Sequence, residues 1–203
     1  MTLAEKEEFF LRDIAEDQIS FSSLFGDNQP VHIEIGSGRG EFLAEVSLNE
    51  PGSNFLGLEI KRKRIKSILR KLEPATHSNV RLLRMYVDEV QLKRLGEKSI
   101  ERFYIFHPDP WPKRRHHKHR LIQKDFITGL AGVLADGGDV LITTDHEDYR
   151  NWIVKHFSES PEFEAGYPEG FSREPFSGHI ETHFEMKLKQ KGFPPFYMRF
   201  SKR

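Results

Sequence analysis

A glycine-rich segment near the start of the chain has the composition of a loop that binds a nucleotide-type ligand. Gly36, Gly38 and Gly40 follow a short apolar run, and Glu34 lies two residues before the first of them. Glycine lets the backbone turn tightly and approach a ligand closely. The G-x-G-x-G spacing differs from the G-x-G-x-x-G of dinucleotide-binding folds, and the carboxylate of Glu34 would favour a cationic group such as a sulfonium or an ammonium. We therefore predict a nucleotide-type site here; the alternative is an ordinary strand-to-helix turn.

A second carboxylate has the position expected for a ribose ligand. Glu59 follows the next predicted strand, 19 residues after Gly40. A carboxylate there can accept hydrogen bonds from both ribose hydroxyls, as the acidic residue of dinucleotide-binding folds does. The alternative is a charge that stabilises the first turn of a helix. We favour the ribose interpretation because Glu59 and the glycine segment occur together.

The segment 107–120 combines a carboxylate, an aromatic ring and a basic run. Three prolines surround Asp109 and stiffen the backbone, and Trp111 offers a flat surface for stacking. Residues 110–124 hold six Lys or Arg and three His but no acidic residue. This combination predicts one site for a nucleic-acid base and its phosphates, and the alternative is a charged surface loop. The His-x-His spacing does not predict a metal site, because cations adjoin it and neither cysteine nor a nearby carboxylate is available.

Three further polar segments carry a weaker signal. Asp145, after a later predicted strand, is either a substrate ligand or a helix N-cap. Thr182 and Glu185 have the spacing of a capping box, which is the better-supported interpretation from the residues alone. The segment 61–71 holds seven Lys or Arg in 11 residues, which form either a solvated face or a set of phosphate contacts.

These residues are positioned by strands that alternate with helices. Predicted strands lie at 31–35, 54–58, 80–83, 103–106, 140–143 and 195–200. Predicted helices lie at 3–17, 41–48, 61–72, 122–133, 149–157 and 182–191, and Gly137 and Gly138 are expected to end the fourth of them. The alternation predicts an α/β fold with right-handed crossovers and a doubly wound, mostly parallel sheet. Such sheets bind ligands at the carboxyl ends of their strands.

Length and composition indicate one domain in a reducing compartment. The chain has 203 residues, 37% of them hydrophobic and 31% charged, and it has no cysteine. No apolar run is long enough to span a bilayer, and the N-terminus carries Glu5, Glu7 and Glu8 rather than the basic start of a signal peptide. We therefore expect a single cytoplasmic domain over 1–203, without disulfides, thiol catalysis or a membrane partner.

The net charge of zero hides an uneven distribution. Residues 1–50 hold 11 acidic and 3 basic residues, so residues 51–203 hold 20 acidic and 28 basic ones. A total of zero argues against a nucleic-acid-binding protein. The balance of -8 in the first part and +8 in the second can nevertheless indicate a face that binds a polyanion.

The motifs occur in the order and spacing of a known family. They are Glu34-Ile-Gly-Ser-Gly-Arg-Gly40, Gly57-Leu-Glu59, Pro108-Asp-Pro-Trp111 with Lys113, Thr144-Asp145 and Thr182-His-Phe-Glu185. Together they resemble the bacterial tRNA (guanine-N7-)-methyltransferases over roughly residues 30–200. The glycine segment is shared by many methyltransferases, whereas the Pro-Asp-Pro-Trp-x-Lys-x-Arg segment is much more specific.

The resemblance implies a class I, Rossmann-like methyltransferase whose last strand is antiparallel. It implies transfer of a methyl group from S-adenosyl-L-methionine to N7 of the guanine at position 46 in the tRNA variable loop. Cofactor-binding positions are Glu34, Gly36, Gly38, Gly40, Glu59, Tyr86 and Asp109, and Asp109 is also implied to be catalytic. Positions implied to contact tRNA are Lys113, Arg114, Arg115, His116, His117, Lys118, His119, Arg120, Asp145, Thr182, His183, Phe184 and Glu185.

Two positions depart from the family pattern. After the third strand the family usually has Asp or Asn followed by Ala, at the adenine end of the cofactor. This chain has Tyr86 at that position and Asp88 two residues later, and either residue is a candidate. The second departure, His107-Pro108 before the aspartate, need not affect the chemistry.

Three other functions remain compatible with the residues. The first is an S-adenosylmethionine-dependent methyltransferase acting on another RNA, a small molecule or a protein. The second is a nicotinamide oxidoreductase, which the missing G-x-G-x-x-G spacing disfavours. The third is a non-catalytic RNA-binding module on the same fold. We expect tRNA as the partner, no metal, and a chain that is a monomer or a homodimer.

Overall fold

One mostly parallel sheet organises the molecule. The computed structural model describes residues 1–12 and 17–203. The strands in this part of the chain are β1 (Leu11–Arg12), β2 (Val31–Ile35), β3 (Asn54–Leu58), β4 (Val80–Leu83), β5 (Ile100–Phe106), β6 (Leu134–Thr144), β7 (Phe163–Ala165) and β8 (Phe196–Lys202). They are ordered β1-β4-β3-β2-β5-β6-β8-β7, with β8 antiparallel to β6 and β7 and the other neighbouring strands parallel. The predicted α/β fold with a doubly wound sheet and an antiparallel last strand is therefore confirmed.

Helices cover both faces of the sheet. They are α1 (Leu3–Phe10), α2 (Phe21–Phe25), α3 (Glu41–Asn49), α4 (Arg62–Leu69), α5 (Glu89–Leu92), α6 (Lys124–Val133), α7 (Glu147–Ser158) and α8 (His183–Gln190), with short 3-10 helices at Lys93–Leu95 and Arg114–His119. In β5, Phe103 and Ile105 belong to one buried cluster and Tyr104 to the other. Because side chains alternate along a strand, the two clusters lie on opposite faces of the sheet. Helices α6 and α7 pack on one face, and α3 and α4 pack on the other.

The sequence of α4 shows how the residue pattern produces this packing. Ile65, Ile68 and Leu69 are its buried residues, and they recur at the spacing of one helical face. The other positions of the helix are Arg, Lys or Ser. One apolar stripe therefore holds α4 against the sheet, and its basic side chains face solvent.

The carboxyl ends of the central strands meet at one edge of the sheet. Ile35 pairs in register with Leu58 and with Ile105, and Phe106 pairs with Thr143. Neighbouring strands are about 4.8 Å apart. The segments that follow β3, β2, β5 and β6 therefore emerge side by side at the edge where doubly wound sheets bind ligands.

Two predicted helix boundaries are wrong. The acidic helix predicted at 3–17 begins at Leu3 but ends at Phe10, because β1 pairs with β4; the part of the prediction at 13–16 lies outside the described residues. Gly137 and Gly138 do not end the fourth helix. Instead α6 ends at Val133, and the chain passes directly into β6.

Besides the two 3-10 helices, four short elements were not predicted: α2, α5, β1 and β7. They have between two and five residues each, which is too short for a clear periodic pattern. Among the described residues, none of the helices has the length and apolar character needed to cross a membrane.

Candidate active site

A cleft of about 530 Å³ opens at the carboxyl edge of the sheet. Its lining comes from the segments that follow β2, β3 and β4 and from both ends of the segment that joins β5 to α6. Gly36, Glu59, Tyr86, Asp109 and Lys118 are among the lining residues. A cleft of this size suits a nucleotide-sized ligand. The fold therefore brings together the glycine segment, two of the predicted carboxylates and the basic segment.

In the segment after β2, glycine is needed at different positions for different structural reasons. Gly36, Gly38 and Gly40 have φ values of 79°, 55° and 72°, in the left-handed region that glycine favours. A Cβ on Gly36, which lines the cleft, would meet nothing within 4 Å. A Cβ on Gly40 would lie 2.7 Å from the side chain of Ile68 in α4. Gly36 thus leaves space for a ligand, whereas Gly40 allows α3 to begin close to α4.

Glu34 is a buried carboxylate with a free oxygen. It is 6% exposed and is not part of the cleft lining, which its neighbours Ile35 and Gly36 help to form. Among the described residues, no group donates a hydrogen bond to its Oε2. Burial, with the charge of Glu59 acting in the same direction and a hydrogen bond from Ser37 opposing it, raises the pKa of Glu34 to about 7. An unpartnered buried carboxylate is unfavourable, and a cationic ligand group beside it would offset that cost.

Glu59 lines the cleft and is held in place by backbone donors. Its Oε1 accepts the N–H of Lys61 at 2.8 Å, and its Oε2 accepts the N–H of Gly38 at 3.1 Å. Arg64 also approaches Oε2, at 3.4 Å, from a side chain that is about half exposed. A carboxylate offers about four lone-pair positions, so Oε1 keeps one for a ligand hydroxyl. The predicted contact to both ribose hydroxyls requires Arg64 to move aside or to share Oε2.

The segment that joins β5 to the Arg114–His119 helix has a strained backbone. His107 and Trp111 have φ values of 48° and 43°, which residues other than glycine rarely adopt. Such strain persists only where the surroundings impose it, and it is typical of functional sites. Asp109 lies between these two residues, is exposed, and lines the cleft. The ring of Trp111 lies 5.2 Å from that of His119, which lines the same cleft.

Most of the basic segment predicted to contact tRNA lies at the surface. The exposed residues are Lys113, Arg114, Arg115, Lys118 and His119, and the partly buried ones are His116 and His117. Lys118 and His119 also line the cleft. The basic 3-10 helix therefore borders the cleft that Asp109 faces.

Arg120 has a different role from the predicted one. Its side chain is fully buried and lies over the rings of Tyr149 and Trp152. It donates hydrogen bonds to the carbonyl of Pro110, at 2.8 Å, and to the carboxylate of Asp148. The prediction of a tRNA contact is wrong for this side chain, because a buried guanidinium does not reach a surface phosphate. Arg120 instead fastens the segment that carries Asp109 to α7.

Both candidates for the adenine end of a cofactor line the cleft. Tyr86 exposes 64% of its surface. Asp88 caps α5 through Oδ1 alone, which accepts the N–H groups of Val90 and Gln91. Its Oδ2 has no hydrogen-bond partner within the described parts of the chain. The two residues can therefore act together, the ring by stacking and Oδ2 by accepting a hydrogen bond.

His107, which was not among the predicted site residues, connects two segments predicted to contact substrate. Its Nδ1 lies 3.4 Å from Oδ1 of Asp145, and this contact lowers the pKa of Asp145. Its ring meets that of Phe184 edge-on, with the centroids 5.1 Å apart. The end of β6 and the start of α8 are thus adjacent to the strained segment. The only signal in the sequence was that His107 departs from the family pattern.

Glu185 is not positioned to contact a substrate, which corrects the prediction for this residue. It is 1% exposed, accepts the hydroxyl of Tyr197 at 2.5 Å, and lies 2.7 Å from Nε2 of His179. Burial opposes its ionisation, but hydrogen bonds from His179, Tyr197 and Lys189 outweigh this effect and lower the pKa of Glu185 to about 2. Thr182 caps α8 by accepting the N–H of Glu185, so the capping interpretation is confirmed for Thr182.

The acidic helix α1 packs beside α4 and not beside the Arg114–His119 helix. Glu7 pairs with Arg62 at 3.6 Å, and Lys6 pairs with Glu73. In the sheet, β1 is four strands away from β5, which precedes the basic 3-10 helix. The acidic side chains of α1 therefore lie at the opposite side of the sheet from that helix.

Solved structures share this fold. The 16S rRNA methyltransferase KamB superposes with a TM-score of 0.60 at 14% identity, over 95% of this chain and 98% of its own. SMU.1697c of Streptococcus mutans, described as "a putative methyltransferase" and solved in complex with SAH, has a TM-score of 0.57 at 15% identity, over 87% of this chain and 90% of its own. At these identities the likeness shows the fold alone.

Sequence relatives show the family. A family profile described as "Putative methyltransferase" matches residues 28–198. The tRNA (guanine-N(7)-)-methyltransferase of Zymomonas mobilis is 33% identical over 187 residues, which are 91% of this chain and 80% of the relative. The enzyme of the same name from Alkalilimnicola ehrlichii is 34% identical over 193 residues, which are 95% of this chain and 81% of the relative. The chain therefore belongs to the family of the tRNA (guanine-N(7)-)-methyltransferases, as its motifs predicted.

Proposed function

We propose that this chain transfers a methyl group from S-adenosyl-L-methionine to N7 of a guanine in tRNA, and that the target is the guanine at position 46 in the variable loop. The observation that carries the proposal is the cleft in which Glu59 and Asp109 meet an exposed basic helix. The interior of such a cleft can hold a nucleotide-type cofactor, and its rim can bind RNA phosphates. The names of the relatives support the same reaction.

The residues of the cleft, together with Glu34 behind its lining, fit the proposed cofactor. The unpartnered Oε2 of Glu34 suits the ammonium group of its amino-acid portion, and the empty space at Gly36 lets the ligand approach the backbone. Glu59 offers Oε1 to a ribose hydroxyl. Tyr86 and Asp88 offer a ring and a carboxylate oxygen to the adenine. When bound, the cofactor supplies a methyl group on a positively charged sulfur, which is a strong electrophile.

Catalysis of this reaction requires that the protein orient the two reactants and stabilise the positive charge that develops on the guanine. Guanine N7 carries an in-plane lone pair and no proton, so no general base is needed to create the nucleophile. Holding two reactants in line can contribute roughly 7–11 kcal/mol to catalysis. The exposed carboxylate of Asp109 can accept hydrogen bonds from the N–H groups of the guanine edge and stabilise the positive charge that develops on the purine.

The proposed tRNA contacts come from two groups of residues: the basic segment, and the residues near His107, which lines the cleft. Residues 113–119 bind phosphates, and each phosphate that they neutralise steepens the salt dependence of binding. The second group, Asp145, Thr182, His183 and Phe184, contacts the target region. The side chain of Phe184 is 56% exposed and can stack on a base.

Methylation of unmodified tRNA with labelled S-adenosyl-L-methionine, followed by mapping of the labelled nucleotide, tests this function. We expect 7-methylguanosine at position 46 and no incorporation into a tRNA in which that guanine is replaced by adenine. Label on another guanine of tRNA would overturn the variable-loop assignment. Label only on another RNA, a small molecule or a protein would overturn the tRNA substrate.

The role of Asp109 has its own test. Asp109→Asn removes the charge with little change in size, and we expect turnover to fall by on the order of 10²-fold. Asp125→Asn is the matched control, because Asp125 is exposed on α6 and does not line the cleft. Wild-type turnover by Asp109→Asn, with cofactor affinity unchanged, would refute the electrostatic role.

We further propose that the chain acts in the cytoplasm as one domain, either as a monomer or as a homodimer. A tRNA substrate and a sequence without cysteine suit a reducing compartment. Light scattering with and without bound tRNA measures the number of protomers, and a larger assembly would contradict the proposal.

A further inference from the structure

A second positive surface lies outside the basic 3-10 helix. This α4 basic surface consists of Lys61, Arg62, Lys63, Arg64, Lys66, Arg70 and Lys71, all of them exposed. Within the described parts of the chain, two of the seven have an ion-pair partner, Arg62 with Glu7 at 3.6 Å and Arg64 with Glu59 at 3.4 Å. Among the described residues, the other five cations have no ion-pair partner, although α1, which carries Glu5, Glu7 and Glu8, packs beside the same helix.

The energetics of α4 itself do not account for this composition. Cations in the first turn oppose the helix dipole, where carboxylates would be favourable, and α4 has no acidic residue in that turn. Lys66 is three residues from Lys63 and four from Arg70, so these like charges are neighbours on one helical face and repel each other. A negatively charged partner would relieve the repulsion.

The α4 basic surface begins at the cleft and extends away from it. Lys61 and Arg64 line the cleft. Helix α4 follows β3, the Arg114–His119 helix follows β5, and β2 lies between these strands. At about 4.8 Å per strand, the two basic regions leave the sheet about 10 Å apart, on either side of the glycine segment. From Lys63 to Arg70 the positive charge continues for about another 10 Å along the helix.

We propose that the α4 basic surface binds phosphates of a second tRNA segment, so that the RNA crosses the cleft from the Arg114–His119 helix to α4 with the target base between them. This inference rests on the proposed tRNA substrate. RNA fits the surface better than an anionic membrane does, because the apolar side chains Ile65, Ile68 and Leu69 are buried and leave α4 no apolar face to insert into lipid.

Two triple variants that remove equal charge test the proposal. The test variant is Lys63→Gln/Lys66→Gln/Arg70→Gln, whose three positions do not line the cleft. The control variant is Lys93→Gln/Lys98→Gln/Lys155→Gln, whose three positions are also exposed. None of the three control positions lines the cleft, and Lys98 and Lys155 lie toward the amino ends of the strands, because Lys98 comes just before β5 and Lys155 is in the second half of α7.

The readout is the salt dependence of tRNA binding and of methylation. For the test variant we expect the slope of log K against log salt to become shallower by about 2, and the KM for tRNA to rise about tenfold at physiological salt. Its kcat at saturating tRNA and its KM for S-adenosyl-L-methionine should stay within about twofold of wild type, because its positions lie outside the cleft. The control variant should keep the wild-type slope.

The possible outcomes distinguish a failure of the proposed α4 surface from a failure of the proposed function. Equal slopes for the two triple variants, with wild-type protein methylating tRNA, would overturn the α4 surface alone. Absence of tRNA binding and methylation by the wild-type protein would overturn the proposed function and the surface that rests on it. Binding of the wild-type protein to anionic vesicles, lost in the test variant while tRNA binding is retained, would identify a membrane surface and overturn the RNA assignment. Urea unfolding verifies that both variants are folded.

Discussion

Gly36 and Gly40 have similar backbone conformations, but we expect alanine to destabilise the fold more at Gly40 than at Gly36. Their φ values of 79° and 72° impose similar strain on an alanine, about 1–2 kcal/mol. Both substitutions also restrict the unfolded chain to a similar extent. These shared contributions cancel in the comparison, so the difference in stability between the two variants isolates what each new Cβ meets.

The new Cβ meets different surroundings in the two variants. At Gly40 it lies 2.7, 2.9 and 3.0 Å from three carbons of the Ile68 side chain, whereas at Gly36 it meets nothing within 4 Å. Overpacking of this kind costs about 1–3 kcal/mol. We therefore expect Gly40→Ala to be less stable than Gly36→Ala by about 1–3 kcal/mol. We also expect Gly36→Ala, whose position lines the cleft, to lose more cofactor affinity.

Urea unfolding of the two variants, alone and combined with Ile68→Ala, measures the contact directly. Ile68→Ala removes two of the three crowded carbons, so most of the extra cost of Gly40→Ala should disappear in the double variant. Gly36→Ala should show no coupling to Ile68→Ala. Equal unfolding midpoints for the two single variants, or additive effects of Gly40→Ala and Ile68→Ala, would refute the assignment of Gly40 to helix packing.

Three other predictions follow from buried charges. Burial raises the pKa of Glu34 from 4.5 to about 7, so the cofactor-free fold loses stability as the pH rises through that interval. Glu34→Gln should therefore be more stable than wild type at pH 8 by on the order of 3 kcal/mol, yet bind the cofactor more weakly. Urea unfolding of Glu34→Gln with the same pH dependence as wild type would contradict this prediction. Arg120→Met should lose about 2–3 kcal/mol of stability, because the carbonyl of Pro110 loses its donor. The exposed Arg115 should behave differently: Arg115→Ala should change stability by less than about 0.5 kcal/mol and make the slope of log K for tRNA binding against log salt shallower by about 1. The reverse pattern would refute the structural role of Arg120 and the tRNA contact of Arg115. The pKa of Glu185 is lowered to about 2, so its ionised form contributes stability above pH 4.5 that is lost as the pH falls towards 2. The melting temperature of Glu185→Gln should therefore fall less over that interval than that of wild type. Equal falls would show that the buried hydrogen bonds of the Glu185 carboxylate contribute nothing to stability.

The fold was predictable because local patterns carry most of its information. Alternating apolar strands and amphipathic helices, such as α4 with its stripe of Ile65, Ile68 and Leu69, have periodicities that are visible in one sequence. The errors occur where pairing between distant segments overrides the local pattern. Gly137 and Gly138 look like a helix stop, yet α6 has already ended, because Leu134 pairs with Ile100 of β5; the two glycines lie in an irregular part of β6 before Asp139, which pairs with Arg102 of β5 and Ser201 of β8.

The candidate site was predictable to the level of its motifs but not of its contacts. Glu59 and Asp109 were identified because each follows a strand, and parallel strands bring such positions to one edge. The contact between His107 and Asp145 was missed because it joins two segments whose separation in the sequence carries no pattern.

The sequence by itself determined the family, the alternation of strands and helices, and the presence of an acidic first quarter and basic segments beneath a net charge of zero. Only the tertiary structure decided which of those charges reach solvent. Arg115 and Arg120 are both arginines of one basic run, but Arg120 is buried because Tyr149 and Trp152, contributed by α7, form the pocket that receives it. Burial depends on neighbours that are distant in the chain, and a run of like residues contains no information about them.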